Sequence, residues 1–155
     1  MKRLLVLVAL LALAATPALA QSKDIVDTAV AAGSFKTLAK LLTDADLVGV
    51  MKGAGPYTVF APTDDAFAKV PKDALDALAK DKKKLQAVLQ YHVLAGSVSA
   101  ADLKMMKDFG TVQGQRVKIG ATGGALTIDG AKVVKADVAA SNGVIHVIDA
   151  VLMPK

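Results

Sequence analysis

Apolar positions recur at helical spacing from Asp24 to about Tyr91, and alternate as in strands from Thr111 onward. Behind Ser34, a good N-cap, Phe35, Leu38, Leu41 and Leu42 share one helical face. Thr43 to Asp46 reads as a capping box opening a helix through Leu47, Val50 and Met51, which Gly53 and Gly55 end. Tyr57 to Phe60 is a short strand. Pro62 disfavours helical backbone at Ala61, so the strand stops there and Thr63 caps a new helix. Pro71 opens a segment carrying Leu75 and Leu78. Leu85, Val88 and Leu89 line the next helix, and His92 continues their stripe. Ser99-Ala100-Ala101-Asp102 is another capping pattern.

The second half changes period. Arg116-Val117-Lys118-Ile119 alternates polar and apolar residues, as a half-buried strand does. Leu126-Thr127-Ile128, Asp129-Gly130 and Lys132-Val133-Val134 form a hairpin, since Asp-Gly suits a type I′ turn. Gly120 to Gly124 lacks the lysine and spacing of a phosphate loop and joins two strands instead. Asn142-Gly143 turns the chain into the apolar run Val144 to Val151, and Met153-Pro154 closes the domain. Helices in one half and antiparallel hairpins in the other indicate a single α+β domain. No internal repeat or linker divides it.

Ahead of this pattern stand Lys2-Arg3, an unbroken apolar run from Leu4 to Ala15, then Pro17 and Ala18-Leu19-Ala20. That is the order of a signal peptide, with cleavage expected after Ala20. The run is shorter than the roughly 20 residues that cross a bilayer. The mature chain, residues 21–155, is therefore expected to be secreted or periplasmic, with no membrane span.

Charge and composition remove several functions. Without Lys2 and Arg3 the formal charge of +5 falls to +3, a weak excess. Its one cluster, Lys80 with Lys82 to Lys84, reads as a solvated helix start. There is no Trp and only 4% aromatic content to stack on bases, so nucleic acid is not an expected partner. The absence of cysteine removes a thiol nucleophile, a thiolate metal site, a lipid-anchor cysteine and any disulfide. A hydrolase needs a nucleophile, a base and a group that orients the base. The two histidines are His92 and His146, and His146 sits inside an apolar strand, where a structural role is expected. Asp64 and Asp65 follow Thr63 as the first turn of a helix, where their charge suits the dipole and their directions diverge. No H-E-x-x-H or EF-hand spacing occurs. No enzyme activity, catalytic residue, metal site or cofactor is expected.

Three segments carry a resemblance: Tyr57 to Phe67 (YTVFAPTDDAF), Leu89 to Gly96 (LQYHVLAG) and Ser141 to Pro154 (SNGVIHVIDAVLMP). In this order and separation they resemble the signature motifs of the fasciclin (FAS1) domain family, over essentially the whole mature chain. The resemblance implies an α+β fold in which several helices pack on a wedge or sandwich of antiparallel strands. It implies adhesion at a cell surface or extracellular matrix, through a protein partner and also polysaccharide. In animal members two short elements are associated with integrin binding. They correspond here to Tyr91-His92 and Asp137-Val138, where Val138 replaces Ile. The signal peptide and solitary domain look bacterial, and bacteria have no integrins, so another partner is implied. The alternatives are local. Tyr91-His92 can end a helix with the imidazole bonded to nearby backbone, and Asp137-Val138 can be a strand end. Thr63, Asn142, Gly143 and His146 are structural by this reading, Asn142 through bonds to its own turn backbone. A monomer is expected. An extracytoplasmic carrier of small ligands or polymers, with a cleft between helices and wedge, is the second function considered, and a hydrolase the third.

Overall fold

The computed structural model describes residues 23–155, so the expected signal peptide lies outside the described residues. Three helices come first, α1 (Ile25–Ala32), α2 (Lys36–Asp44) and α3 (Val48–Met51), followed by strand β1 (Tyr57–Pro62). Next come α4 (Asp64–Ala68), α5 (Lys72–Lys80), α6 (Lys82–Tyr91), β2 (Val93–Ala95) and α7 (Ala100–Lys104). The rest is sheet: β3 (Asp108–Gly110), β4 (Arg116–Thr122), β5 (Ala125–Ile128), β6 (Ala131–Ala140) and β7 (Gly143–Ile148). The α+β class is as the sequence indicates.

The seven strands form one sheet in the order β2-β1-β7-β6-β5-β4-β3. Its two outermost strands are brought together by an antiparallel bridge between Leu94 and Thr111, and by the Val112 N–H donating to the Val93 carbonyl at 2.8 Å. Asp129 (φ 50°) and Gly130 (φ 88°) make the β5–β6 turn, both with the positive φ that a type I′ turn requires. The expectation of purely antiparallel pairing fails at one seam. β1 and β7 run parallel, from Tyr57 opposite Gly143 to Pro62 opposite Ile148. The chain between them supplies the long crossover that parallel neighbours need.

This central pair divides the core by simple alternation. Val59 and Ala61 of β1, with Ile145 and Val147 of β7, face the helices and meet Phe35, Leu38, Leu42, Leu85 and Leu89. Phe60 and Ile148 point the other way, toward Leu94, Leu103, Val117 and Ile128 inside the curled sheet. Both faces are dry, so each of these large side chains contributes about 1.5–3 kcal/mol by leaving water.

Two helix starts differ from expectation. Ser34 does not cap α2. The Asp64 carboxylate does so from α4, accepting the Thr37 N–H at 2.9 Å and the Lys36 N–H at 3.4 Å, while the Asp64 N–H returns to the Ser34 carbonyl. Burial alone would raise the Asp64 carboxyl, but those bonds together outweigh it and hold the group below the usual carboxylate range. Thr43 opens no helix. It lies within α2, its hydroxyl donating to the Ala39 carbonyl, and Asp46 takes a left-handed φ of 56° before α3.

Candidate functional site

The Tyr91-His92 pair ends α6 because the Leu85–Val88–Leu89 stripe carries the helix into the core. Tyr91 is the last helical residue and His92 its C-cap, and each is only 2% exposed. The Tyr91 hydroxyl donates to Asp129 Oδ2 at 3.0 Å, tying α6 to the β5–β6 turn. Burial, with the Asp129 carboxylate beside it, pushes the phenol up to about 12. His92 bridges two backbone segments. Nδ1–H donates to the Val88 carbonyl at 2.7 Å, and Nε2 accepts the Leu152 N–H at 2.9 Å. Those partners assign the tautomer. Burial pulls the imidazole down to about 4, against the opposing pull of the Val88 carbonyl, so the ring is neutral.

His146 makes a second bridge with the opposite tautomer. It is 0% exposed, and Nε2–H donates to the Val98 carbonyl at 2.8 Å. Nδ1 accepts the Asp137 N–H at 3.2 Å. Its ring lies 5.9 Å from that of Phe60, tilted by 31°. Asp137 occupies an irregularity in the β6–β7 register between Lys135 and Val138, with a left-handed φ of 56°. Its Oδ1 accepts the N–H of Ala100, the first residue of α7, at 2.9 Å. Ser99 caps the same helix from within, as the sequence indicates. Val138 pairs with Ile145 and packs partly buried against the helix-side core. Thus Asp137 and His146 are brought together. Among the described residues, no hydrogen bond joins either of them to Tyr91 or His92.

Asn142 is structural by a different route from the one expected. It does not take a left-handed turn conformation. It is buried, its Oδ1 accepting the Ile25 N–H at 3.0 Å and its Nδ2 donating to Met51 O at 2.6 Å and Gly53 O at 2.8 Å. Its own carbonyl accepts the Tyr57 N–H at 2.9 Å. One side chain therefore joins α1, the end of α3 and the β6–β7 turn, and no local pattern encodes that. Gly143 opens β7 because a Cβ there would stand 1.9 Å from the Tyr57 carbonyl oxygen. Thr63 caps α4 as the sequence indicates, Oγ1 accepting the Ala66 N–H at 3.1 Å.

All four histidine ring nitrogens are engaged by backbone. Among the described residues no buried side-chain nitrogen or oxygen lacks a partner, and no three His or Asp side chains converge as metal ligands. What this arrangement does chemically is brace. Nor is any helix among the described residues long and apolar enough to cross a membrane.

The Fasciclin domain model matches residues 33–154. The uncharacterized protein sll1735 of Synechocystis sp. is 42% identical over 130 residues, covering 84% of this chain and 97% of that one. The cell surface glycolipoprotein MPB83 of Mycobacterium bovis is 38% identical over 115 residues, covering 74% of this chain and 51% of its own. Among solved structures, a FAS1 domain pair from the insect cell adhesion molecule fasciclin I superposes with a TM-score of 0.61 at 22% identity. That match covers 79% of this chain and 46% of the other, and establishes the fold.

Proposed function

The chain belongs to the fasciclin domain family, and from that premise we propose that it is an exported, non-catalytic interaction module. It holds a protein partner at the cell surface or matrix by contact. The observation that carries this reading is the occupancy of both imidazoles. His92 and His146 lie sealed inside the fold with both nitrogens bonded to backbone, so neither is available as base, nucleophile or ligand. The cell-surface description of one relative and the adhesion-molecule origin of the matched fold support it.

In this reading Tyr91 and His92 act from beneath, fixing the end of α6, while Asp137 and Val138 belong to the contact side. The carrier alternative gains no support from the enclosed interior, the larger hollows being open at the surface. The void lined by Ile25, Leu38, Met51 and Leu89 offers about 20 Å³, room for little more than one water. The test is crosslinking capture by the mature protein in its native envelope, alongside attachment of a deletion strain. A specific captured protein and impaired attachment are expected. No captured protein with unaltered attachment would sink the reading, and so would turnover of any substrate that depends on His92 or His146 in a folded variant.

A further inference from the structure

A groove crosses the surface between α1 and the β6–β7 pair. Phe35, Ile145 and Val147 form its apolar floor, Val138 and Ala29 flank them, and the free space is about 190 Å³. α1 contributes Thr28, Ala29 and Ala32 to its wall, and the two alanines leave it open. Ala29 and Ala32 stand on adjacent turns where any larger side chain would fill it. Ser34 and Thr63 form a polar lip, and the same two residues line an adjoining depression of about 250 Å³ with Gly33, Asp64 and Asp65. The two hollows adjoin along this lip and together make up the channel.

Opposite charges stand on either side of the shared lip. Lys135 borders the apolar hollow and Asp65 borders the outer depression. Neither is among the ion pairs of the described residues, which are Lys52 with Asp24 and Asp27, Lys82 with Asp46, Lys84 with Asp81, and Arg116 with Asp108. Asp64 is already committed to capping α2, so Asp65 is the carboxylate left facing solvent. A simple acyl anion would answer Lys135 and the apolar floor but offer nothing to Asp65. A neutral glycan would leave both charges without a counter-charge. An extended peptide can carry an acidic, an apolar and a basic side chain in succession, and so answers all three.

We infer that this channel receives an extended segment of a partner protein. One branched apolar side chain of that segment fills the hollow, an acidic side chain meets Lys135, and a basic one meets Asp65. This deepens the interaction-module reading and rests on it. The apolar anchor supplies most of the affinity, and the two exposed ion pairs set the order in which the segment lies.

The probes are terminally blocked five-residue peptides with a central leucine. One carries Glu before and Lys after it, one has the reverse order, and one has Gln at both places. They are titrated into the isotopically labelled mature protein and followed by amide NMR. One charged order is expected to shift the Phe35, Val138 and Val147 resonances, with the Gln peptide binding about five-fold more weakly. Lys135→Glu should weaken binding of the preferred order by a similar factor. Ala32→Leu should abolish binding without lowering the thermal midpoint. Failure of both charged peptides to move those resonances, or undiminished binding by Ala32→Leu, overturns the inference. Envelope crosslinking separates the two levels. Equal capture by wild type and Ala32→Leu sinks the channel and spares the module, whereas capture by neither sinks both.

Discussion

Mild acid should destabilise this domain through one ring, His92. Its ordinary value is 6.5, and burial holds it to about 4 in the folded state. Between those limits the unfolded chain binds a proton that the folded chain refuses, so stability is fully present above pH 6.5 and declines as pH falls toward 4. A pKa difference of one between the two states corresponds to about 1.4 kcal/mol, so the loss across the window is about 3 kcal/mol. That is a large share of the roughly 5–15 kcal/mol that typically holds a domain together. A protonated ring would also lose its bond from the Leu152 N–H, since Nε2 could no longer accept it. Carboxylates enter later. Asp24 and Asp64 both sit below their ordinary 3.8. Burial pushes each upward, but the hydrogen bonds, from Asp27 and Lys52 or from Thr37 and Lys36, together outweigh it, so their contributions fade only below the His92 window. The assay is urea denaturation at half-unit steps from pH 7 to 4.5, for wild type and His92→Asn. The variant starts less stable but should lose less as the pH falls, so the two curves converge on acidification. Parallel curves, with the same loss in both, would refute the assignment of the acid sensitivity to His92.

Further outcomes follow from close contacts. Gly143→Ala drives a methyl group into the Tyr57 carbonyl and should cost more than about 4 kcal/mol. Gly49→Ala, whose added Cβ meets nothing within 4 Å inside α3, should gain up to about 1 kcal/mol in the same denaturation experiment. Asn142→Ala leaves the Ile25 N–H and the Met51 and Gly53 carbonyls without this partner, and at about 1–3 kcal/mol for each buried orphan it should lose at least about 3 kcal/mol. Asp137→Asn keeps both a left-handed preference and a capping oxygen and should melt close to wild type. Asp137→Ala should lose about 2 kcal/mol, half from the backbone and half from the cap on α7. Equal melting of those two variants would show that neither feature matters.

What the sequence made legible is what neighbouring residues settle among themselves. The caps at Thr63 and Ser99, the Asp129-Gly130 hairpin and the alternation in β4 each depend on a few adjacent side chains. The misses involve partners far along the chain. Ser34 has the right chemistry for a cap, but Asp64, 27 residues beyond Thr37, reaches α2 with a charged oxygen. Asn142 has turn chemistry, yet it bonds Ile25, Met51 and Gly53 at separations of 117, 91 and 89 residues. The parallel β1–β7 seam joins the first strand to the last, which no local period encodes. At the histidines, the strand setting of His146 correctly suggests a buried ring, while its partners Val98 and Asp137 come from other elements. The channel was illegible for the same reason, since Ala32, Asp65 and Lys135 have no common motif.

The meeting of β2 and β3 has a consequence for how the molecule behaves among crowded neighbours. A sheet with bare flanks recruits passing strands by backbone hydrogen bonding alone, which is indiscriminate and leads to fibrils. Here the Leu94–Thr111 contact leaves those flanks facing each other. The closed seam thereby denies passing strands a template, including those of other copies of this disulfide-free chain.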